Sequence, residues 1–324
     1  MYEIIKNFNK QFEYEPQIEG DLSLEGVKNF IAVGMGGSHL AADILNSYDP
    51  SFNILVHKNY GLPNLPEETL KQSLIILNSY SGNTEEVIDS FYLALEKKLK
   101  MASITYNGKL LELSEKHNIP FVKLPEPKVQ PRLALGFHTK ALLKILNKEK
   151  ELKEISELVY LLKPEEFEEK GRELAEKIKD KIPVIYSSEK NQPIAYIWKI
   201  KFNETSKIPA FCNVLPELNH NEMTGFDVKE TTRHLSQNFI FFLLFDEEDH
   251  PKIQKRMTIL KNLYEERNFK VEFLKLEGQN RFHKIFSSLV LSDWTSCYLA
   301  KEYGVEPEEV PMVEEFKKMM EEAL

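Results

Sequence analysis

Short apolar runs bounded by small polar residues recur along the chain and alternate with stretches of helical period. Phe30 to Val33, Ile54 to His57, Leu74 to Leu77, Met101 to Thr105 and Phe121 to Leu124 read as buried strands in the first half. Pro183 to Tyr186, Asn238 to Leu244 and Val271 to Leu276 do so in the second. Between them, Leu40 to Leu45, Val87 to about Lys100, Ile194 to Lys207 and Lys252 to Arg267 have the spacing of amphipathic helices. Strand and helix in strict alternation predict α/β architecture with parallel sheets flanked by helices on both faces. The pattern occurs twice, so two domains of similar plan are expected, at residues 1–150 and 151–324. The connecting stretch Asn147 to Lys181, rich in Glu, Lys and Leu, predicts helices with solvated charged faces.

Composition narrows the function classes. A chain of 324 residues with 42% hydrophobic and 29% charged residues suits a globular protein of two domains. A net charge of −9 argues against nucleic acid and anionic membranes as partners. The longest apolar run, Phe239 to Phe245, is far short of a membrane span, and Met1 to Lys10 lacks a signal-peptide core. Cys212 and Cys297 stand far apart with no C-x-x-C, which fits a reducing cytoplasm and no structural zinc.

Two loops carry the clearest chemistry. Gly34-Met35-Gly36-Gly37-Ser38 follows the first strand, and Asn78-Ser79-Tyr80-Ser81-Gly82-Asn83-Thr84 follows Leu74 to Leu77. Each joins a strand to a helix N-terminus, where backbone N–H groups lack intrahelical partners and can bind an anion. Neither holds the lysine of a Walker A loop, and the first lacks the third glycine of a dinucleotide loop. Hydroxyls dominate the second, which suits a terminal phosphomonoester. The bland alternative is two ordinary turns with Ser38 and Thr84 as helix caps. In the second half, Phe245-Asp246-Glu247-Glu248-Asp249 would repel a phosphate, so one phosphate site is expected.

The second half offers other groups. Glu204 ends an otherwise apolar helix, sharing a face with Lys201 and Thr205. Partly desolvated, it could take a carbon-bound proton; alternatively it pairs with Lys201 or Lys207. His220 lies in a loop with Glu217, Asn219 and Asn221, which could orient its ring or leave it solvated. Pro131 opens a helix, and Arg132 beside it would face outward to hold an anion or a surface acid. Thr295 and Ser296 form a small polar face on an apolar helix ended by Gly304.

In this order, the two loops, Pro131-Arg132, Phe202-Asn203-Glu204, Glu217-Leu218-Asn219-His220-Asn221-Glu222 and Thr295-Ser296…Tyr298-Leu299-Ala300…Gly304-Val305 resemble the bifunctional phosphoglucose/phosphomannose isomerases. The resemblance spans roughly residues 25 to 320. It implies two sugar isomerase (SIS) domains, each a flavodoxin-like three-layer α/β/α unit. Glucose 6-phosphate, mannose 6-phosphate and fructose 6-phosphate would interconvert through a cis-enediol(ate), without metal or other cofactor. The resemblance places the 6-phosphate on Gly36, Gly37, Ser38, Ser79, Ser81 and Thr84, makes Glu204 the base and gives Arg132 the enediolate charge. It makes His220 a ring-opening group reached across a homodimer interface, and sets Thr295 near C1 and C2 of the sugar. It leaves Gly136-Phe137-His138 unmapped, and Lys301 is a weak candidate for the family's sugar lysine. A non-catalytic phosphosugar-binding SIS protein, or an isomerase of another phosphosugar, is the competing expectation. A SIS-type transcription regulator would want a basic helix-turn-helix. An amidohexose synthase would want a glutaminase cysteine; neither feature is present.

Overall fold

The computed structural model describes residues 1–126 and 129–322. Those residues form two compact units, the first of Asn7–Lys163 with Asn280–His283, the second of Met1–Lys6, Pro164–Gln279 and the chain from Lys284 onward.

In the first unit the strands are β1 (Ile18–Glu19), β2 (Asn29–Val33), β3 (Ile54–His57), β4 (Ser73–Ser79), β5 (Lys100–Thr105) and β6 (Phe121–Lys123). They make one six-stranded sheet in the order β1-β6-β5-β4-β2-β3. Every pairing from β2 to β6 is parallel, and only β1 runs antiparallel, on β6. All seven residues of β4 are buried, as a central strand covered on both faces requires. On one face Ile31, Val33, Ile75 and Leu77 pack with Val87, Phe91, Leu110 and Leu113 from the helices Glu85–Glu96 and Gly108–Lys116. Most residues of the helices Leu40–Tyr48 and Leu135–Ile145 are also buried.

The chain steps outward from β2 to β3, then returns past β2 to begin β4. The strand order therefore reverses between β2 and β4, the flavodoxin-like switch point where α/β sheets form a crevice at their carboxyl ends.

The second unit repeats the plan with β7 (Ile182–Ser188), β8 (Phe211–Leu215), β9 (Phe239–Phe245) and β10 (Lys270–Lys275). Their order is β10-β9-β7-β8, all parallel, with the same reversal between β7 and β9. Val184, Tyr186, Phe241 and Leu243 pack against Met257, Leu260 and Tyr264 of the helix Pro251–Glu266. The rings of Trp198 and Phe202 lie 5.8 and 6.2 Å from Phe242. That contact seats the helix Gln192–Glu204 on the sheet. The parallel α/β plan is thus observed twice. β1 and β8 are elements the apolar pattern did not single out.

Candidate functional site

Both hydroxyl-rich loops leave the carboxyl ends of neighbouring strands, because β2 and β4 pair in parallel with Val33 opposite Leu77. They flank the switch point and are tied to each other. The Asn78 amide donates to the Ser38 carbonyl at 2.7 Å, and the Tyr80 N–H donates to the Ser38 hydroxyl at 3.3 Å. Within the second loop, the Ser79 and Thr84 hydroxyls lie 2.8 Å apart, and the Gly82 N–H donates to Ser79 Oγ at 3.1 Å. Thr84 occupies the N-cap position of the helix Glu85–Glu96, yet its hydroxyl makes no capping bond. The hydroxyls are turned toward one another rather than toward the helix, which removes the main content of the ordinary-turn alternative.

Glycine permits the close approaches. A Cβ on Gly82, at φ +73°, would lie 1.7 Å from the Asn107 carbonyl oxygen. A Cβ on Gly37 would meet the Pro131 and Arg132 backbone at 2.7 to 2.8 Å, so the first loop lies against the Pro131–Leu133 turn. That contact has a consequence for Arg132, which is buried instead of facing outward as its place at a helix start suggested. Gln11 fixes the same turn, donating to the Leu133 carbonyl at 2.7 Å and accepting from the Gly136 N–H at 3.0 Å. Ser38 and Ser79 are buried, Thr84 is half-buried, and Ser81 and Gly36 are exposed. Gly36, Gly37, Ser38, Ser79, Ser81, Thr84 and Arg132 are thus carried by one sheet edge of the first unit.

Asn78 and Tyr80 lie in the second loop's run but carried no chemical signal in the sequence. Alternation along β4 sets Asn78 on the face opposite Ser79, and Tyr80 follows directly after the strand's end. There the Tyr80 ring meets His138 edge to face at 5.2 Å. Tyr80 and His138 are buried, and neither the Tyr80 hydroxyl nor either His138 nitrogen has a hydrogen-bond partner among the described residues. Burial pushes the Tyr80 hydroxyl up to about 12 and holds the imidazole down at about 3.

In the second unit, Glu204 closes the helix Gln192–Glu204 and is half-buried. Lys201, which helical spacing offered to Glu204, reaches an acid on another helix. The Lys201 ammonium lies 2.5 Å from Asp293 Oδ1, both side chains fully buried. Lys207 caps the helix end, donating to the Glu204 carbonyl at 2.9 Å. His220 ends a short turn, Glu217–His220, and is exposed. Its polar neighbours bond elsewhere: Asn221 donates to Glu217 at 2.8 Å, and Arg256 donates to Asn219 at 3.2 Å. Thr295 is fully buried in the helix Arg281–Tyr303, and its hydroxyl donates to the Leu291 carbonyl at 2.8 Å. Lys301 is exposed, beside a surface hollow lined by Glu165, Glu168, Glu169, Arg172 and Tyr298.

The crevice of the second sheet, between β7 and β9, is filled by the protein itself. Asp246 Oδ1 lies 2.7 Å from the Lys284 ammonium, and Ser188 donates to Asp249 at 2.7 Å. The Asn191 amide reaches both carboxylates. Burial pushes the Asp246 carboxyl up, but Lys284 and the surrounding donors outweigh it and hold the group below the usual carboxylate range. Asp249 is raised, by burial first.

Two flavodoxin-like units with a hydroxyl-rich switch-point crevice in the first make this a SIS-type α/β protein. The family model described as the bacterial phospho-glucose isomerase C-terminal SIS domain matches residues 167–320. A bifunctional phosphoglucose/phosphomannose isomerase of Aquifex aeolicus is 35% identical over 98% of this chain and 97% of its own. One from Caldicellulosiruptor bescii is 32% identical over 99% and 98%. In structure, glucosamine-6-phosphate deaminase of Thermotoga maritima superposes with a TM-score of 0.69 over 96% of this chain and 97% of its own, at 18% identity, a likeness of fold. The chain belongs to the bifunctional phosphoglucose/phosphomannose isomerase family, and it is an isomerase.

Proposed function

We propose that the protein interconverts fructose 6-phosphate with glucose 6-phosphate and mannose 6-phosphate. The observation that carries this reading is the pair of cross-bonded loops at the β2/β4 switch point, whose Ser38, Ser79 and Thr84 hydroxyls stand outside any capping role. With Gly36, Gly37 and Ser81, they receive the 6-phosphate, a doubly charged group that takes several donors at once. Arg132 stabilises negative charge on the enediolate oxygen. The Glu204 carboxylate takes the proton from C2 of the aldose, leaving an enediolate, and returns it to C1 while the O2 hydroxyl proton passes to O1, which gives the ketose. Deprotonation at C2 erases its stereochemistry, so reprotonation from either face yields the glucose or the mannose epimer. His220 moves the proton that opens the sugar ring, and a homodimer in which it serves the partner's site fits its exposed position. Thr295 is proposed as the residue governing epimer choice. Its support is the family resemblance, because its hydroxyl already donates within its own helix. A cytoplasmic setting fits a phosphorylated substrate.

The test offers fructose 6-phosphate to the purified protein and reads glucose 6-phosphate and mannose 6-phosphate separately. Both should form. In Glu204→Gln, turnover should fall by about a hundredfold or more, the scale of general-base catalysis. Exchange of the C2 proton with solvent should fall with it. Formation of neither product by the wild type refutes the activity, and undiminished exchange in Glu204→Gln refutes the base.

A further inference from the structure

We infer that the buried Lys201–Asp293 ion pair is a positioning device that sets the Glu204 carboxylate, an inference that rests on the proposed role of Glu204 as base. The two charges lie 2.5 Å apart with both side chains wholly buried, and the Lys201 ammonium also donates to the Leu289 carbonyl at 3.3 Å. The two segments bury mostly apolar side chains, among them Ile197, Trp198, Phe202, Leu289 and Trp294, with the small polar Thr205 and Ser292 buried near the pair in sequence. Placing two charges there is costly, and well-packed apolar side chains would hold two helices together at least as well. Cohesion therefore does not explain the pair.

Register does. An apolar contact between helices has several near-equivalent arrangements related by sliding ridges past grooves, whereas a buried charge pair admits one. Two more polar clasps join the same segments in the same order. Trp198 donates to the Ser288 hydroxyl at 3.0 Å, and the Ser206 hydroxyl donates to the Ser296 carbonyl at 2.8 Å. Lys201 and Asp293 sit between them. Glu204 lies one turn beyond Lys201, and the Thr205 N–H still donates to the Lys201 carbonyl at 2.9 Å. The last helical turn, with Glu204 in it, thus hangs from the residue that the ion pair fixes, and Lys207 secures its far end. The Lys201 ammonium is engaged by Asp293 and the Leu289 carbonyl, so its part in this inference is to place Glu204 and not to react.

The experiment uses the full chain and fructose 6-phosphate. Removing one partner leaves a buried unpaired charge, so the principal variant is the double replacement Lys201→Met/Asp293→Leu. It should fold with thermal stability equal to or above that of the wild type. Its KM should stay within about threefold, because the phosphate loops belong to the other unit, while kcat and C2 proton exchange fall at least about tenfold, the kind of loss that follows misplacement of a base. Asp293→Asn keeps the shape and removes the charge. It should also lower kcat more than it raises KM, and Asp293→Glu should restore part of the loss. A folded double variant with kcat within twofold of wild type overturns the inference. So does an Asp293→Asn protein with unchanged kcat. A double variant that fails to fold overturns it too, since the pair is then needed for cohesion. Absence of isomerisation by the wild type, or full activity of Glu204→Gln, defeats the functional reading instead, whatever these variants do.

Discussion

Replacing His138 with leucine should make the protein more tolerant of acid without weakening it at neutral pH. The imidazole is buried with neither nitrogen hydrogen-bonded, and burial holds it at about 3 against an ordinary value of 6.5. In the native protein it is neutral down to about pH 3, whereas in the unfolded chain it binds a proton below about pH 6.5. Its contribution is therefore fully present above the unfolded value and is lost as pH falls from about 6.5 towards 3. Each unit of that interval is worth about 1.4 kcal/mol, so the full loss is about 5 kcal/mol and the loss by pH 4.5 is about 3 kcal/mol. Leucine is similar in size and needs no partner. Replacing an unsatisfied buried polar group by an apolar one is neutral or stabilising, here by about 1–3 kcal/mol. Urea unfolding of wild type and His138→Leu at pH 7 and 4.5 gives the comparison. Hydrogen exchange in peptides from β4 and the helix Leu135–Ile145 assigns the change to the first unit. Carboxylates titrate in the same range but are common to both proteins, so they cancel in the difference. Equal loss of stability between the two pH values in both proteins would refute the reasoning.

Two further outcomes follow from the geometry. Gly82→Ala sets a Cβ against the Asn107 carbonyl and asks alanine for a φ of +73°, so it should cost at least about 2 kcal/mol and weaken inorganic phosphate binding measured by calorimetry. Unchanged stability and affinity would show that the loop is not held as described. Thr295→Gln should lower the mannose activity more than the glucose activity, read as a ratio of kcat/KM values so that losses of folding or binding cancel. An unchanged ratio in a folded, active variant removes Thr295 from the choice of epimer.

The strands and the two loops were legible because their signal is local. Within the buried strand Ser73–Ser79, Leu74 to Leu77 form an unbroken apolar run, and the polar residues that follow them stand out. β1 and β8 were not legible for the complementary reason. Ile18–Glu19 has two residues, and Phe211–Leu215 includes an exposed phenylalanine and a half-buried asparagine, so neither is a continuous apolar run. The misplaced expectations concern partners distant in sequence. Helical spacing offered Lys201 to Glu204, and nothing local announced that Asp293, from another helix, also reaches the lysine. Arg132 was expected to face outward because nothing local says that Gly37 brings another loop against its turn. His138 left no sign in the sequence, since an imidazole without a partner is recognisable only when its surroundings are in place.

The filled crevice of the second unit amounts to a tethered ligand. Asp246 and Asp249 stand where the sister sheet presents hydroxyls, and Lys284 and Asn191 hold them there. A guest that belongs to the chain never dissociates into solution, so a free metabolite competes with it against its effective concentration. Under the proposed function, the same scaffold occurs once as a receptor that empties and refills, and once with the corresponding place held by its own side chains. The saturated copy is relieved of selection for exchange. On that reading it is a fixed mount for Glu204, the proposed base, while the other copy receives the phosphate.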